Sequence, residues 1–423
     1  MINRTITICF AFQVFVAVPL KAQKDIKDYV KLNTNSVTTI DPKDTDYSDL
    51  EAIGNAIGDA RIVMLGEQDH GDAPTFLAKT RLIQYLHEKK GFNVLAFESD
   101  FFGLNYGWDQ IKKSEREIDS LLTKNIFPIW THCDAFQHLL KNYIPQTFKT
   151  NTPLQISGID NQMSTPVIFD QLDSFLKSKR FSNAFVEKYS TEMKPYLHNW
   201  ARHSHDNISN LKTLSYLTEI QEELEKELSR DDFWWVLIEN LKALNFELVN
   251  VRNIRNYSLA HNVRDSQMAK NLKWLSEVKY SEEKIIVWAA SGHVAKHSGH
   301  YPQSFLNTVI SLGSAFTRDT NMLKNTYILG FTAYEGKAGR ILPPTTYTVD
   351  KPHTNSFENW VNKSYEYAFV NFASYRDRFP DRKELFYMSG SSQPNSWLHK
   401  NTKAEWAYIF DGVFFIRTMY RCK

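Results

Sequence analysis

Residues 61–99 read RIVMLGEQDHGDAPTFLAKTRLIQYLHEKKGFNVLAFES, and this stretch predicts a strand, a helix and a second strand. The run RIVMLGE (61–67) is short, apolar and ends at a glycine, which is typical of a buried strand. Asp72 can cap the following helix, Pro74 suits its first turn and Gly91 suits its end. The run NVLAFES (93–99) then predicts the second strand. Two strands joined by a helix are the unit of a parallel sheet.

The same alternation continues along the rest of the chain. Further strands are predicted at 154–160, 284–290, 325–333, 367–373 and 407–417. Between about 166 and 280, Leu and Ile recur at helical spacing among Glu and Lys. We therefore expect one α/β domain over 24–423, with a mixed, largely parallel central sheet flanked by helices and a large helical insertion at about 166–280.

Composition indicates a folded globular protein and argues against one class of partner. The 423 residues are 42% hydrophobic and 23% charged. The formal net charge is +2, and loss of the first 23 residues, which include Arg4 and Lys21, would bring it to zero. A neutral chain without a basic block argues against nucleic acid as the main partner.

The first 23 residues have the three-part pattern of a secretory signal peptide. Arg4 lies in a short basic start, residues 5–20 are uncharged and largely apolar, and Ala22 is a small residue at the expected cleavage point. The apolar run is shorter than the ~20 residues that span a bilayer, although an uncleaved anchor is the alternative. We expect export, to the periplasm or outside the cell, and no stable membrane insertion after cleavage.

Cleavage would leave two cysteines, Cys133 and Cys422. In an oxidising compartment they could form one disulfide, but the sequence does not show whether they lie within reach of each other. No Cys-x-x-Cys pair occurs, which excludes a thiolate zinc site and a thioredoxin-type centre.

Polar residues follow four of the predicted strands. Because the carboxyl ends of strands in an open α/β sheet border one crevice, we expect these side chains to lie together. A histidine among several carboxylates is the combination that general acid–base chemistry requires. The alternative, that each residue only caps a strand end, stays open. The residues are Glu67, Asp69, His70, Glu98, Asp100, Asp160, Ser291 and His293.

Other chemistries lack their motifs. No Gly-x-Ser-x-Gly occurs, and neither Gly-x-Gly-x-x-Gly nor Gly-x-x-x-x-Gly-Lys is present. His293, His297 and His300 are closely spaced and could hold zinc, but Gly292 and Gly299 argue against one continuous helix. We therefore expect no metal and no cofactor.

The segment Gly66-Glu67-Gln68-Asp69-His70-Gly71 resembles the Gly-Glu-x-x-His-Gly signature of the erythromycin esterase family. Further segments resemble the family's motifs in the same order, which extends the resemblance over about 60–340. These segments are RLI (81–83), GFNVLAFE (91–98), ISGID (156–160), RDSQMAKN (264–271), IVWA (286–289) followed by His293, ILGF (328–331) and YEG (334–336).

This resemblance implies hydrolysis of an ester, in known members a macrolide lactone, by water that a histidine activates without a required metal. By position, His70 would be the general base, Glu67 and Glu98 the two carboxylates, and His293 the second histidine of a His-Asn-x-His run. Candidate substrate-binding residues are Arg81, Asp160, Arg264 and Ser291. The expected partner is a small-molecule ester or lactone.

The chain departs from the family pattern at one point. Ala290 stands where the first histidine of the His-Asn-x-His run is expected, and alanine cannot donate, accept or titrate. Three functions remain open: a metal-independent hydrolase, a homologue that binds a small molecule with no or altered activity, and a metal-dependent hydrolase using His70, Glu98 and His293.

Overall fold

A computed structural model describes residues 25–163, 166–203, 207–297, 299–302, 305–389 and 402–423; the predicted signal peptide lies outside them. The strands are β1 Asn35–Val37, β2 Ile62–Leu65, β3 Phe92–Asp100, β4 Gln155–Asp160, β5 Lys284–Trp288, β6 Thr326–Ala338, β7 Tyr347–Thr348, β8 Tyr367–Asn371, β9 Phe386–Met388, β10 Thr402–Ala404 and β11 Gly412–Met419. The helices are α1 Ile26–Asn33, α2 Glu51–Ile57, α3 Ala73–Lys90, α4 Trp108–Gln110, α5 Glu115–Asn125, α6 Pro128–Thr131, α7 Ile144–Thr147, α8 Val167–Ser178, α9 Asn183–Lys188, α10 Lys194–His203, α11 Asn207–Leu224, α12 Phe233–Val249, α13 Tyr257–Trp274, α14 Ser291–Val294, α15 Leu312–Phe316, α16 Thr320–Lys324, α17 Phe357–Trp360, α18 Phe372–Arg378 and α19 Trp406–Ile409.

Among the described residues, nine strands form one central sheet, in the order β1-β8-β11-β6-β2-β5-β3-β4, with β7 paired to β6. The pairs from β11 through β4 are parallel, whereas β8 pairs antiparallel with β1 and β11. This arrangement confirms the predicted mixed, largely parallel sheet.

The strand predicted at 407–417 is wrong in its first residues. Residues Trp406–Ile409 form α19, and the strand begins only at Gly412. Between them, the Asp411 carboxylate accepts a hydrogen bond from the backbone of Ile328 at 2.8 Å, which turns the chain into the sheet. A short apolar run does not by itself distinguish helix from strand.

The central strands are buried on both faces. On β2, Val63 and Leu65 face the side covered by α3, and Ile62 and Met64 face the side covered by α13. Helix α3 contains Pro74 in its first turn and ends at Gly91, whose φ of 72° favours glycine. Asp72 is the N-cap residue of this helix, as predicted, but its side chain makes no capping hydrogen bond to the helix backbone.

The predicted helical insertion is formed by α8 to α13, between β4 and β5. Its helices α8 to α12 pack around an apolar cluster of their own, whereas α13 contributes Met268 and Leu272 to the core under the sheet. Helix α13 therefore connects the helical insertion to the carboxyl ends of the strands. None of the described helices is long and apolar enough to cross a membrane.

Candidate active site

The first cluster of the site lies in the loop after β2. The Nδ1 atom of His70 lies 2.7 Å from Oε1 of Glu67, and the His70 side chain is 16% exposed whereas that of Glu67 is fully buried. Glu67 is held in place through its backbone, because its carbonyl accepts a hydrogen bond from the Ser291 amide at 2.8 Å. The loop therefore presents one edge of the His70 ring to the crevice and fixes the other edge.

The Glu67 carboxylate has two further donors. The indole Nε1 of Trp130 donates to Oε1 at 2.8 Å, and the ammonium of Lys79 donates to Oε2 at 2.8 Å. Burial opposes the charged form of Glu67, but Lys79 and His70 outweigh it and hold the pKa of this carboxyl below its usual value. Glu67 is therefore an anion that can fix the His70 tautomer.

Lys79 was not predicted as a site residue, although its position on an apolar helix face indicates a buried charge. It lies on α3, three residues after the buried Phe76 and four before the buried Ile83, and so on an apolar face. Its ammonium lies 3.9 Å from the centre of the Trp288 ring, and burial lowers its pKa to about 8. A lysine on an apolar helix face needs a buried acid, which here is Glu67.

The second cluster lies around Glu98 in β3. Its Oε1 lies 2.9 Å from Nη2 of Arg264 and 3.0 Å from Nε2 of His293, and its Oε2 accepts the Ala290 amide at 2.9 Å. Burial opposes ionisation, but His293 and Arg264 outweigh it and hold the pKa of Glu98 well below its usual value.

His293 lies between two carboxylates. Its Nδ1 is 2.8 Å from Asp265 and its Nε2 is 3.0 Å from Glu98. Burial opposes protonation, but these two carboxylates raise the pKa of His293 to about 10. His293 is therefore an imidazolium at neutral pH, and it donates from both ring nitrogens.

Arg264, on α13, joins the ends of β3 and β4. Its Nε lies 3.1 Å from both carboxylate oxygens of Asp160, and Nη2 contacts Asp160 and Glu98. Burial opposes its charge, but Asp160 and Glu98 raise the pKa of Arg264 well above its usual value. The Nη1 atom lies 3.3 Å from Nε2 of His293, and the two carboxylates offset the repulsion between these cations.

The two clusters lie within electrostatic reach of each other. His70 contributes to the lowered pKa of Glu98, and Glu98 in turn acts to raise the pKa of Lys79. The carboxyl edge of the sheet thus contains a partly exposed imidazole and a dense, alternating set of buried charges.

A family model described as "Erythromycin esterase" matches residues 87–419. The chain belongs to the erythromycin esterase family. The matched region includes Glu98, Arg264 and His293, whereas the loop with Glu67 and His70 precedes it.

Individual relatives match most of the length of the chain at low identity. The "Putative hydrolase YbfO" of Bacillus subtilis (strain 168) is 24% identical, over 97% of this chain and 95% of the relative. The "Erythromycin esterase type II" of Escherichia coli is 23% identical, over 88% and 92%. A solved structure of a mutant of the erythromycin esterase EreC, in its open conformation, has a TM-score of 0.69 at 17% identity, covering 92% of this chain and 98% of that one. Family and relatives together support hydrolase activity.

Two of the predicted substrate-binding residues have side chains that are buried among other groups of the protein. The buried guanidinium of Arg81 binds the carboxylate of Asp49 and the carbonyl of Thr39, so the structure does not bring Arg81 to either cluster. Ser291 is at the crevice, but its Oγ is buried and makes no hydrogen bond to a described residue. A Cβ atom at position 66 would lie only 2.7 Å from this Oγ, and the close approach favours glycine at that position.

The closely spaced histidines do not form a ligand set. His297 bonds Tyr301 and the Gly292 carbonyl, and His300 bonds Glu405. In the described part of the chain, His261, Asp265 and His293 do lie close enough to share a metal ion. However, both nitrogens of His293 already face carboxylates and Arg264 adds a cation beside them, an arrangement of ion pairs that does not fit a metal.

Proposed function

We propose that this protein is an exported, metal-independent hydrolase that cleaves a carboxylic ester or lactone with water activated by His70. The observation that carries the proposal is the state of the His70 ring. Its Nδ1 is bound to the Glu67 anion, and its Nε2 makes no hydrogen bond to any residue that the structure describes. A carboxylate at Nδ1 favours the tautomer in which Nε2 has a free lone pair.

In the proposed reaction, Nε2 of His70 takes a proton from water as the water oxygen attacks the ester carbonyl. Glu67 stabilises the imidazolium that forms, as a buried acceptor at Nδ1. The tetrahedral intermediate then collapses, the bond to the alcohol oxygen breaks, and His70 returns the proton to that oxygen. The products are a carboxylic acid and an alcohol, so no redox partner is needed.

Glu98 is proposed to position the water. Its Oε2 has one donor, the Ala290 amide, and a carboxylate oxygen can accept a second hydrogen bond. The neighbouring Arg264 and His293 keep Glu98 ionised and fixed.

The deciding experiment is a panel of esters and lactones, macrolides included, assayed at neutral pH with and without a chelator. The wild-type protein should cleave at least one substrate, and chelator should not change the rate. His70→Ala should abolish this activity, whereas His300→Ala, which removes a histidine paired with Glu405, should not. Loss of activity with chelator would favour the metal-dependent alternative. Binding without cleavage would favour a homologue with altered function, and Ala290 would then be the leading explanation.

The export part of the proposal has one independent support. Cys133 and Cys422 form a disulfide, and disulfides persist mainly in oxidising compartments outside the cytosol. This support does not depend on the N-terminal pattern.

A further inference from the structure

Two side chains meet at the same oxygen of Glu67. His70 approaches Oε1 through Nδ1 at 2.7 Å, and Trp130 donates to it through Nε1 at 2.8 Å. The two rings also touch edge to face, with centres 5.5 Å apart. Trp130 is fully buried and lies on α6, a helix of four residues. The orientation of the His70 ring thus depends on a residue in a separate, short element.

The Cys133–Cys422 disulfide connects the two segments that carry these rings. On one side, the Cys133 amide donates to the Trp130 carbonyl at 2.9 Å. On the other side, the Cys422 amide donates to the carbonyl of Gly71, the residue after His70, at 2.8 Å. Both cysteines are buried. The contacts close a ring that runs from Glu67 through Trp130, the disulfide and the His70 loop back to Glu67.

We propose that Trp130 is a positioning residue for the general base and that the Cys133–Cys422 disulfide holds it against Glu67. This inference rests on the proposed function, since it assigns Trp130 a role through His70. The indole N–H occupies one lone pair of Oε1, which leaves a single direction for the His70 bond. It also stabilises the Glu67 anion, because a hydrogen bond to the charged form lowers a carboxyl pKa.

The first test requires no substrate. In protein with ¹⁵N-labelled tryptophan, the Trp130 indole N–H is assigned by its loss in Trp130→Phe, and its hydrogen exchange is measured before and after dithiothreitol. Reduction transfers two electrons and two protons: the S–S bond breaks, two thiols form, and dithiothreitol cyclises to its own disulfide. We expect exchange at Trp130 to accelerate at least about tenfold on reduction, which corresponds to loss of one hydrogen bond.

The matched internal control is Trp108. It is also buried, and its indole N–H donates to Gln155 on β4, which makes no hydrogen bond to either cysteine. Its exchange should stay unchanged on reduction. Unchanged exchange at Trp130, with both thiols shown free by mass spectrometry, would overturn the proposed link to the disulfide. Equal acceleration at Trp108 would also overturn it, because the disulfide would then act on the whole fold.

The second test uses a substrate from the ester panel. Trp130→Phe should lower kcat by about 10- to 100-fold, since it removes a hydrogen bond to a charged group, and should leave KM nearly unchanged. The acidic limb of the kcat/KM profile should move to higher pH, because Glu67 loses a donor. Trp108→Phe should change neither kcat nor the pH profile.

The effects of disulfide reduction and of Trp130→Phe on kcat should not be additive. Reduction should slow the wild-type enzyme but not slow Trp130→Phe further. An equal slowing of both proteins, or a Trp130→Phe enzyme with wild-type kcat and pH profile, would refute the positioning role. If the panel finds no substrate, the proposed function fails, while the exchange experiment still decides whether the disulfide holds Trp130.

Discussion

Replacing His293 by glutamine should remove one contribution that lowers the stability of the fold as the pH rises. The folded protein raises the pKa of His293 from 6.5 to about 10, because Asp265 and Glu98 outweigh the effect of burial. The stacked neighbour His261 has its pKa lowered to about 4 by burial and stays neutral over this range. The stabilisation is therefore fully present below about pH 6.5 and is lost as the pH rises through about 10.

The magnitude follows from the shift. Each pKa unit corresponds to ~1.4 kcal/mol, so the contribution of His293 to the free energy of unfolding should fall by about 1.4 kcal/mol per pH unit between about pH 7 and pH 10. Lys79, whose pKa burial lowers to about 8, contributes with the opposite sign above that pH in both proteins, so the difference between wild type and His293→Gln is the quantity to compare. The total contribution is about 5 kcal/mol for the shift from 6.5 to about 10. In His293→Gln this part of the slope should be absent.

Urea unfolding of both proteins at several pH values between 6 and 10 measures the difference. His297→Gln is the matched control, because His297 is also buried on the same segment but burial lowers its pKa to about 4, so it is neutral throughout. That variant should keep the wild-type slope. Parallel pH dependence in wild type and His293→Gln would show that His293 is neutral, and it would then compete with His70 as the base.

The remaining predictions concern the reaction centre and the N-terminus. His70→Gln should cut turnover by about 10²–10⁴-fold, the usual contribution of a general base, with the circular dichroism spectrum unchanged; a retained rate would rule out His70 as the base. Lys79→Met should lower the free energy of unfolding by about 3–5 kcal/mol in urea titrations, because it leaves the buried Glu67 anion without its cation, and Lys79→Arg should lose less. Ala290→His should raise macrolide hydrolysis up to about 10²-fold if a missing donor limits it; an unchanged rate would exclude that cause. N-terminal sequencing of exported protein should begin at or near Gln23, and a retained first residue would contradict cleavage.

The sheet and the strand-end residues could be predicted because each depends on local pattern. Short apolar runs identified the central strands, and the common edge of parallel strands brought Glu98, Asp160 and His293 together around Arg264. The position of such a residue can be predicted from the strand that it follows or ends.

The contacts from outside the sheet could not be predicted. Arg81 lies on the same helix as Lys79, yet it pairs with Asp49, because which helix face meets which neighbour depends on packing across the fold. Trp130 follows no strand, and the Cys133–Cys422 pair is separated by 289 residues. Periodicity has no information about pairings at that distance.

The position of Arg264 on α13 also determines how the molecule can fluctuate. Lifting α13 from the sheet would separate Arg264 from Asp160 and Glu98 in a low-dielectric interior, so α13 belongs to the same cooperative opening unit as the strands. Helices α8 to α11 pack with α12 around a separate apolar cluster, so we expect them to open at lower cost. We therefore expect hydrogen exchange to be faster in these helices than in α13, and mutations there to leave the charged cluster undisturbed.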